Sequence, residues 1–235
     1  MTEFDRAPSG PDPIETESYR ILRSRIDLTH LPPLTRAVTE RVIHASADLD
    51  YATDLICDES ALVAGVAAIT RGAPVVTDVA MVASGITGYP VICKIGESIA
   101  ARLARTVGLT VSAAAARLAF GEAGPGAIWI IGCAPTALEE VLRREVVPAL
   151  VIGLPVGFVG ATAAKEALLA SGLPAISNVS EKGGSAVAAA AFNALLRIAR
   201  EQAPQSSMGR HPVGRLAAHV PAAPKGRAAP AGDGR

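Results

Sequence analysis

The sequence predicts a three-layer α/β/α domain around a central, mainly parallel sheet of about five strands. Beyond residue 59, short and nearly continuous apolar runs alternate with longer segments of helical periodicity, the pattern of strands buried on both faces and joined by crossover helices. Glycine-rich stretches follow three of those runs, where the loops at the carboxyl ends of strands belong. Aromatic residues make up only 3% of the chain while half of it is hydrophobic, so the core must be built from Val, Ile, Leu and closely packed Ala. A chain of 235 residues is long enough to bury such a core in one domain.

The elements follow in chain order. Asp12-Pro13-Ile14-Glu15 reads as a helix start: a capping carboxylate, proline at the first helical position and an acid three residues after the cap. The helix runs over 13–27 and places Ile14, Ile21, Leu22 and Ile26 near one face. A second begins after Pro33, with Leu34, Val38 and Val42 as its buried stripe. Strands are expected at 74–77, 90–93, 127–131, 149–152 and 175–178. Helices are expected at 59–71, 97–120 with a break near Gly108, 136–146, 161–171 and 185–200. Gly72 and Gly172 stand where left-handed helix ends place glycine.

The domain therefore spans 13–200, between an N-terminal arm at 1–12 and a tail at 201–235. The tail holds eight Ala, five Pro and five Gly, with five basic and two acidic residues. Such a composition buries too little apolar surface to offset its ordering entropy and is expected to be disordered.

Composition also excludes function classes. Twenty-two basic and 22 acidic residues give no net charge, which removes the electrostatic handle for nucleic acid or an anionic membrane. Cys57, Cys93 and Cys133 are widely separated and form no CxxC pair, against both a disulfide framework and a structural zinc site. With no basic, apolar leader at the N-terminus, the expectation is a cytoplasmic protein. The uncharged run 146–164 is long enough to suggest a membrane span. It contains Pro148, Gly153, Pro155, Gly157 and Gly160, so a strand followed by a tight loop accounts for it better.

The three glycine loops, 132–136, 153–160 and 180–185, expose backbone N–H groups at helix starts and suit a carboxylate or phosphate. Each also satisfies the simpler need for tight turns. None carries GxGxxG or GxxxxGK[ST], so no nucleotide motif is present. His44 lies near the end of an apolar helix, where imidazole is suited to general acid work, although a lone histidine there more often packs or caps. His30 abuts a proline loop, and His211 and His219 fall in the tail. Ser18 reads by itself as a solvent-facing helix residue. Asp48, Asp50, Asp54, Asp58 and Glu59 lack the spacing of a calcium loop and read as a solvated acidic turn. Lys165 and Lys182 lie beside glycine loops and are candidates for pairing with substrate carboxylates.

Taken together, the pieces resemble one family. The ordered set Ser18-Tyr19, His44-Ala45-Ser46, Gly72-Ala73-Pro74, Asp78 with Met81-Val82 and Gly85-Ile86-Thr87, Ala134-Pro135-Thr136-Ala137-Leu138, Pro155-Val156-Gly157-Phe158-Val159-Gly160, Lys165-Glu166-Ala167-Leu168 and Gly183-Gly184-Ser185-Ala186 is similar to the precorrin-8X methylmutases, with PVGFVG the most distinctive member. The resemblance spans roughly residues 14–196. It implies a homodimeric isomerase of cobalamin biosynthesis that needs no cofactor or metal of its own. The enzyme moves a methyl group from C11 to C12 of precorrin-8X or cobalt-precorrin-8, a tetrapyrrole held near the subunit interface. By matched position the acid is His44 and the substrate-contacting serine is Ser18, with Ser112, Lys165 and Lys182 as further substrate-binding candidates. The chain departs from the family where Thr-Arg-Ser-Ala is common: it reads Thr110-Val111-Ser112-Ala113, without the arginine that would clamp a carboxylate bidentately. Lys182 likewise stands where arginine is common. Those departures motivate an alternative, a corrinoid-binding carrier that has lost turnover. A generic phosphate binder on the same scaffold rests on fold analogy alone.

Overall fold

The computed structural model describes residues 12–144 and 147–202; all of the expected arm but Asp12, and most of the expected tail, lie outside them. The elements are α1 (Pro13–Arg25), α2 (Pro33–Ser46), α3 (Tyr51–Asp54), β1 (Leu55–Cys57), α4 (Glu59–Thr70), β2 (Val75–Thr77), α5 (Ala80–Gly85), α6 (Ser98–Val107) and α7 (Val111–Ala123), then β3 (Ile128–Ile131), α8 (Pro135–Arg143), β4 (Leu150–Gly153), α9 (Ala161–Ala170), β5 (Ala175–Asn178) and α10 (Ser185–Gln202). The last helix runs two residues past the expected domain end at 200.

The sheet has five strands in the order β1-β5-β4-β3-β2. The four from β2 to β5 are parallel, and β1 runs antiparallel along the edge of β5, with Leu55 opposite Asn178. Side chains alternate across it as strand geometry requires. Ile128 and Ile130 enter one core with Val38, Val42, Leu62 and Phe192, while Trp129 and Ile131 enter a second with Ala116, Ala119, Leu138 and Leu168. So α2, α4 and α10 cover one face, and α7, α8 and α9 cover the other.

Local chemistry explains most boundaries. The Asp12 carboxylate accepts from the Ile14 N–H at 2.7 Å, with Pro13 opening α1. Helix α6 stops at Gly108, whose φ of +67° supplies the left-handed residue that ends the turn and lets α7 start afresh. The Thr110 side chain caps α7 by accepting from the Ala113 N–H at 3.2 Å.

Two expectations are corrected. Residues 90–93 are not a strand. Ile92 makes a single parallel bridge to Val76, and Pro90, which has no N–H, cannot extend the ladder. The fifth strand is instead β1, only three residues long and embedded in the acidic stretch that reads as a solvated turn. The uncharged run 146–164 contains β4, a loop and the start of α9, and among the described residues no single helix is long and apolar enough to cross a membrane.

Because β2 to β5 are parallel, their carboxyl ends share one edge of the sheet. Asp78, just past β2, ties that edge together: its buried carboxylate accepts from the N–H groups of Gly132 at 3.1 Å, Cys133 at 2.8 Å and Ala134 at 2.8 Å. Burial pushes the Asp78 carboxyl up, and these three donors oppose the shift. The N-cap of α8 is Ala134, which has no side-chain acceptor, so Asp78 provides the cap from another strand. Asp78→Ala orphans all three donors and is expected to cost about 3 kcal/mol, read as a lowered urea midpoint at unchanged slope.

Candidate functional site

Helix α2 ends at the carboxyl edge of the sheet, with Ala47 in the left-handed conformation at φ +54° as its C-cap. His44 lies in its last turn, half-buried. Helix α1 crosses beside it, and the Ser18 hydroxyl meets His44 Nδ1 at 2.7 Å. The side chains of Ser18 and His44, 26 positions apart in sequence, are thus brought into direct contact. On the other side of this pair opens a cleft of about 500 Å³. Ile14, Ile21, Leu22 and Leu49 make its walls apolar, while Glu17 and Arg25 stand among the lining residues. Its volume falls within the range of small-molecule sites, about 300–1,000 Å³. An apolar wall with one hydrogen-bonded imidazole can receive a large flat ring and exchange one proton with it.

The same fold appears in known proteins. Residues 13–198 match the profile of the precorrin-8X methylmutases. The chain belongs to the precorrin-8X methylmutase family. A cobalt-precorrin-8 methylmutase of Salmonella typhimurium is 38% identical over 203 residues, covering 81% of this chain and 97% of its own. A precorrin-8X methylmutase of Pseudomonas aeruginosa is 39% identical over 194 residues, covering 77% and 93%. The crystal structure of the precorrin-8X methylmutase from Thermus thermophilus superposes with a TM-score of 0.72 at 34% identity, covering 81% of this chain and 98% of its own.

Of the sequence-derived candidates, only His44 and Ser18 line the cleft. Lys165 lies away from the cleft. It is fully buried in α9 and donates to Asn178 Oδ1 at 3.0 Å, to the Lys182 carbonyl at 2.7 Å and to the Ser180 carbonyl. Three acceptors use all three ammonium donors, so none is left for a substrate carboxylate. Burial pulls its pKa down to about 8, against the opposing charges of Asp54 and Glu181.

Lys182 is only partly exposed, and its ammonium is held between Asp48 at 2.7 Å and Asp50 at 2.5 Å. The hydrogen bonds it donates to those two carboxylates push its pKa up, so this cation serves first to tie the loop after β5 to the turn after α2. Ser112 is the second residue of α7, whose alanines pack on the face of the sheet opposite α2. One chain alone therefore does not bring Ser112 into the cleft. Val111, where the resemblance leads one to expect arginine, is exposed.

The acidic stretch also needs correction. Asp54 is buried, not solvated. Its carboxylate accepts from Asn178 Nδ2 at 2.8 Å, the Val179 N–H at 3.1 Å, the Ser180 N–H at 2.9 Å and the Ser180 hydroxyl at 2.7 Å. Burial pushes this carboxyl up, but the donors from Ser180, Asn178 and Val179 outweigh it and hold the pKa below its ordinary value. Asp54, Asn178 and Lys165 together form a polar knot beneath the loop that carries Gly183. That glycine has φ +153°, and a Cβ there would sit 2.7 Å from the Pro155 carbonyl oxygen, so the loops after β4 and β5 touch backbone to backbone. Sequence reasoning missed Asp54 and Asn178 as organisers, because neither lies in a motif and their pairing is 124 positions apart. Among the described residues no group of three or more His, Cys, Asp or Glu side chains has the geometry to hold a metal ion.

Two outcomes follow. Lys165→Met keeps the volume but leaves the buried Asn178 Oδ1 without its donor and removes the positive charge facing Asp54, and a loss of about 3 kcal/mol is expected in chemical denaturation. A folded-state pKa below the unfolded value means that Asp54 contributes fully above its unfolded pKa of about 3.9, and that the contribution disappears as pH falls through the folded value. Melting curves taken from about pH 6 down to about pH 3 should show a steeper fall for the parent chain than for Asp54→Asn.

Proposed function

We propose that the chain is an isomerase of cobalamin biosynthesis that moves a methyl group from C11 to C12 of precorrin-8X or cobalt-precorrin-8, with His44 as the proton donor and recipient. The observation that carries this reading is the contact between Ser18 and His44 at 2.7 Å on the wall of an apolar cleft, in a chain whose family is named for that reaction.

A formal shift of methyl between neighbouring ring carbons needs no methyl donor and no net oxidation. Protonation of a ring nitrogen redistributes the π electrons so that the methyl group can migrate. Because substrate and product are isomers, any proton lent must be recovered within the cycle. Ser18 suits that requirement. Its hydroxyl donates to Nδ1 of a neutral imidazole protonated at Nε2, and accepts from Nδ1–H once both nitrogens are protonated. The imidazole can thus change state without losing its partner. General acid catalysis contributes roughly 10²- to 10⁴-fold, and fixing a polycarboxylated ring in one pose supplies further acceleration.

One chain covers such a ring incompletely, which supports a homodimer. Phe158 and Val159 are 94% and 89% exposed in the loop after β4, and Met81 is 72% exposed after β2. These large apolar side chains follow strands β4 and β2 at the same sheet edge, Phe158 and Val159 in a loop and Met81 in α5, and a second copy would cover them. Arg25 beside the cleft is the cation placed to meet a carboxylate arm.

Precorrin-8 added to the purified chain is expected to change its visible spectrum without added metal or methyl donor. His44→Ala should lower kcat by about 10²- to 10⁴-fold, and Ser18→Ala, which removes one hydrogen bond, by about tenfold. Conversion by His44→Ala at the parent rate removes His44 from the reaction. Tight corrinoid binding without conversion by the parent chain selects the carrier instead. Separately, Phe158→Asp is expected to shift sedimentation from dimer toward monomer, and a monomeric parent chain would refute the dimer.

A further inference from the structure

The Ser18 contact fixes one edge of the His44 imidazole, but a single hydrogen bond leaves the ring free to tilt about it. Terminal torsions of this kind have broad minima. A second set of residues, none of which lines the cleft, holds the flat face. The Tyr19 ring stacks on the imidazole with centroids 5.2 Å apart and planes 16° from parallel. The guanidinium carbon of Arg23 lies 5.5 Å from the centre of the same Tyr19 ring. Arg23 is in turn gripped in a fork by Glu40, Nε to Oε1 at 3.0 Å and Nη2 to Oε2 at 2.7 Å.

The spacing explains the assembly. Tyr19 and Arg23 are four residues apart on α1, and Glu40 and His44 are four apart on α2, so each pair occupies one helix face. Where the faces meet, one rung is a ring stack and the next is an ion pair. Glu40 is buried whereas the Arg23 side chain is mostly exposed, so the carboxylate is the fixed end and the guanidinium bridges it to Tyr19.

We propose that Tyr19, braced by the Arg23–Glu40 ion pair, is a positioning residue that holds the plane of the His44 imidazole for proton transfer to the substrate. The inference rests on the reading of His44 as the acid, and the stack itself is observable without turnover. Proton transfer needs donor and acceptor about 2.6–3.2 Å apart, and an error of about 1 Å in placement can cost about a hundredfold in rate. Tyr19 therefore acts on the rate through His44 rather than by touching the ring of the substrate.

The test compares Tyr19→Phe, Tyr19→Leu and Arg23→Gln in the full chain, with two readouts: kcat and KM on precorrin-8, and the imidazole proton and nitrogen resonances of His44 in the resting protein. Tyr19→Leu keeps apolar bulk between the helices but removes the ring. It is expected to lower kcat on the order of tenfold with KM within about twofold, and to move the His44 ring protons downfield as the overlying aromatic ring is lost. Tyr19→Phe restores the stack and should keep both kcat and the resonances near the parent. Arg23→Gln should fall between them in kcat. A parent-like kcat for Tyr19→Leu, equal losses in Tyr19→Leu and Tyr19→Phe, or a loss confined to KM would each overturn the proposal. Failure of the acid assignment looks different: His44→Ala would convert substrate at the parent rate while Tyr19→Leu still displaced the ring protons, and that result removes the catalytic role of the stack.

Discussion

The carboxyl edge of the sheet depends on a buried charge network in which Asp54, Asn178 and Lys165 satisfy one another across three elements. Asp54 closes α3, Asn178 closes β5 and Lys165 projects from α9. Asn178 is the hinge between the charges, accepting from Lys165 through its carbonyl oxygen and donating to Asp54 through its amide. Two opposite charges taken out of water are tolerable only when their remaining hydrogen-bonding capacity is met. Here the loop backbone meets it, through the N–H groups of Val179 and Ser180 and the carbonyls of Ser180 and Lys182. Formation of the charge network and ordering of the loop are therefore one event, and the loop then carries Lys182 to Asp48 and Asp50 just beyond the His44 helix.

The cleft draws its character from the opposite arrangement. Where the sheet edge is held by the buried, multiply hydrogen-bonded groups of Asp54, Asn178 and Lys165, Ser18 and His44 meet on two helices and remain half-exposed. A group that must gain and lose a proton needs a partner that tolerates both states. It also needs an approach for the substrate. A hydroxyl partner and an apolar cleft provide these, whereas a carboxylate gripped by several donors, as Asp54 is, would resist the change.

Much of the architecture was legible in the residues. The alternation of apolar runs with helical segments identified β2, β3, β4 and β5, and Gly108 marked the break between α6 and α7 because only a left-handed residue turns the chain there so cheaply. What escaped was β1. Three residues carry no usable period, and their stability comes from pairing with Asn178 and its neighbours far along the chain. The apolar run at 90–93 misled for the converse reason: its composition suits a strand, but Pro90 and the preceding turn leave it a single bridge. At the site, motif resemblance pointed to His44 and Ser18, and geometry then joined them. The same resemblance pointed to Lys165 as a substrate contact, although burial assigns its charge to the loop. A residue can recur in a motif because it builds the frame, and a sequence does not separate the two until burial and partners are known.

Glu140 shows how far the principle extends. On the other face of the sheet its buried carboxylate is met by Arg117 at 2.7 Å, Arg143 at 2.7 Å and Arg144 at 3.0 Å. Burial pushes the carboxyl up, and the guanidinium groups, Arg117 and Arg144 foremost, overcome it and hold the pKa below its ordinary value. That cluster is richer in arginine than the cleft, yet its cations are drawn to a carboxylate belonging to the protein and are not free for one from outside. A polycarboxylated substrate must instead find its cations at the cleft, where Arg25 is the lining arginine. In the proposed reaction, recognition of the ring leans on the apolar wall of the cleft, and the His44 imidazole is the group that exchanges a proton.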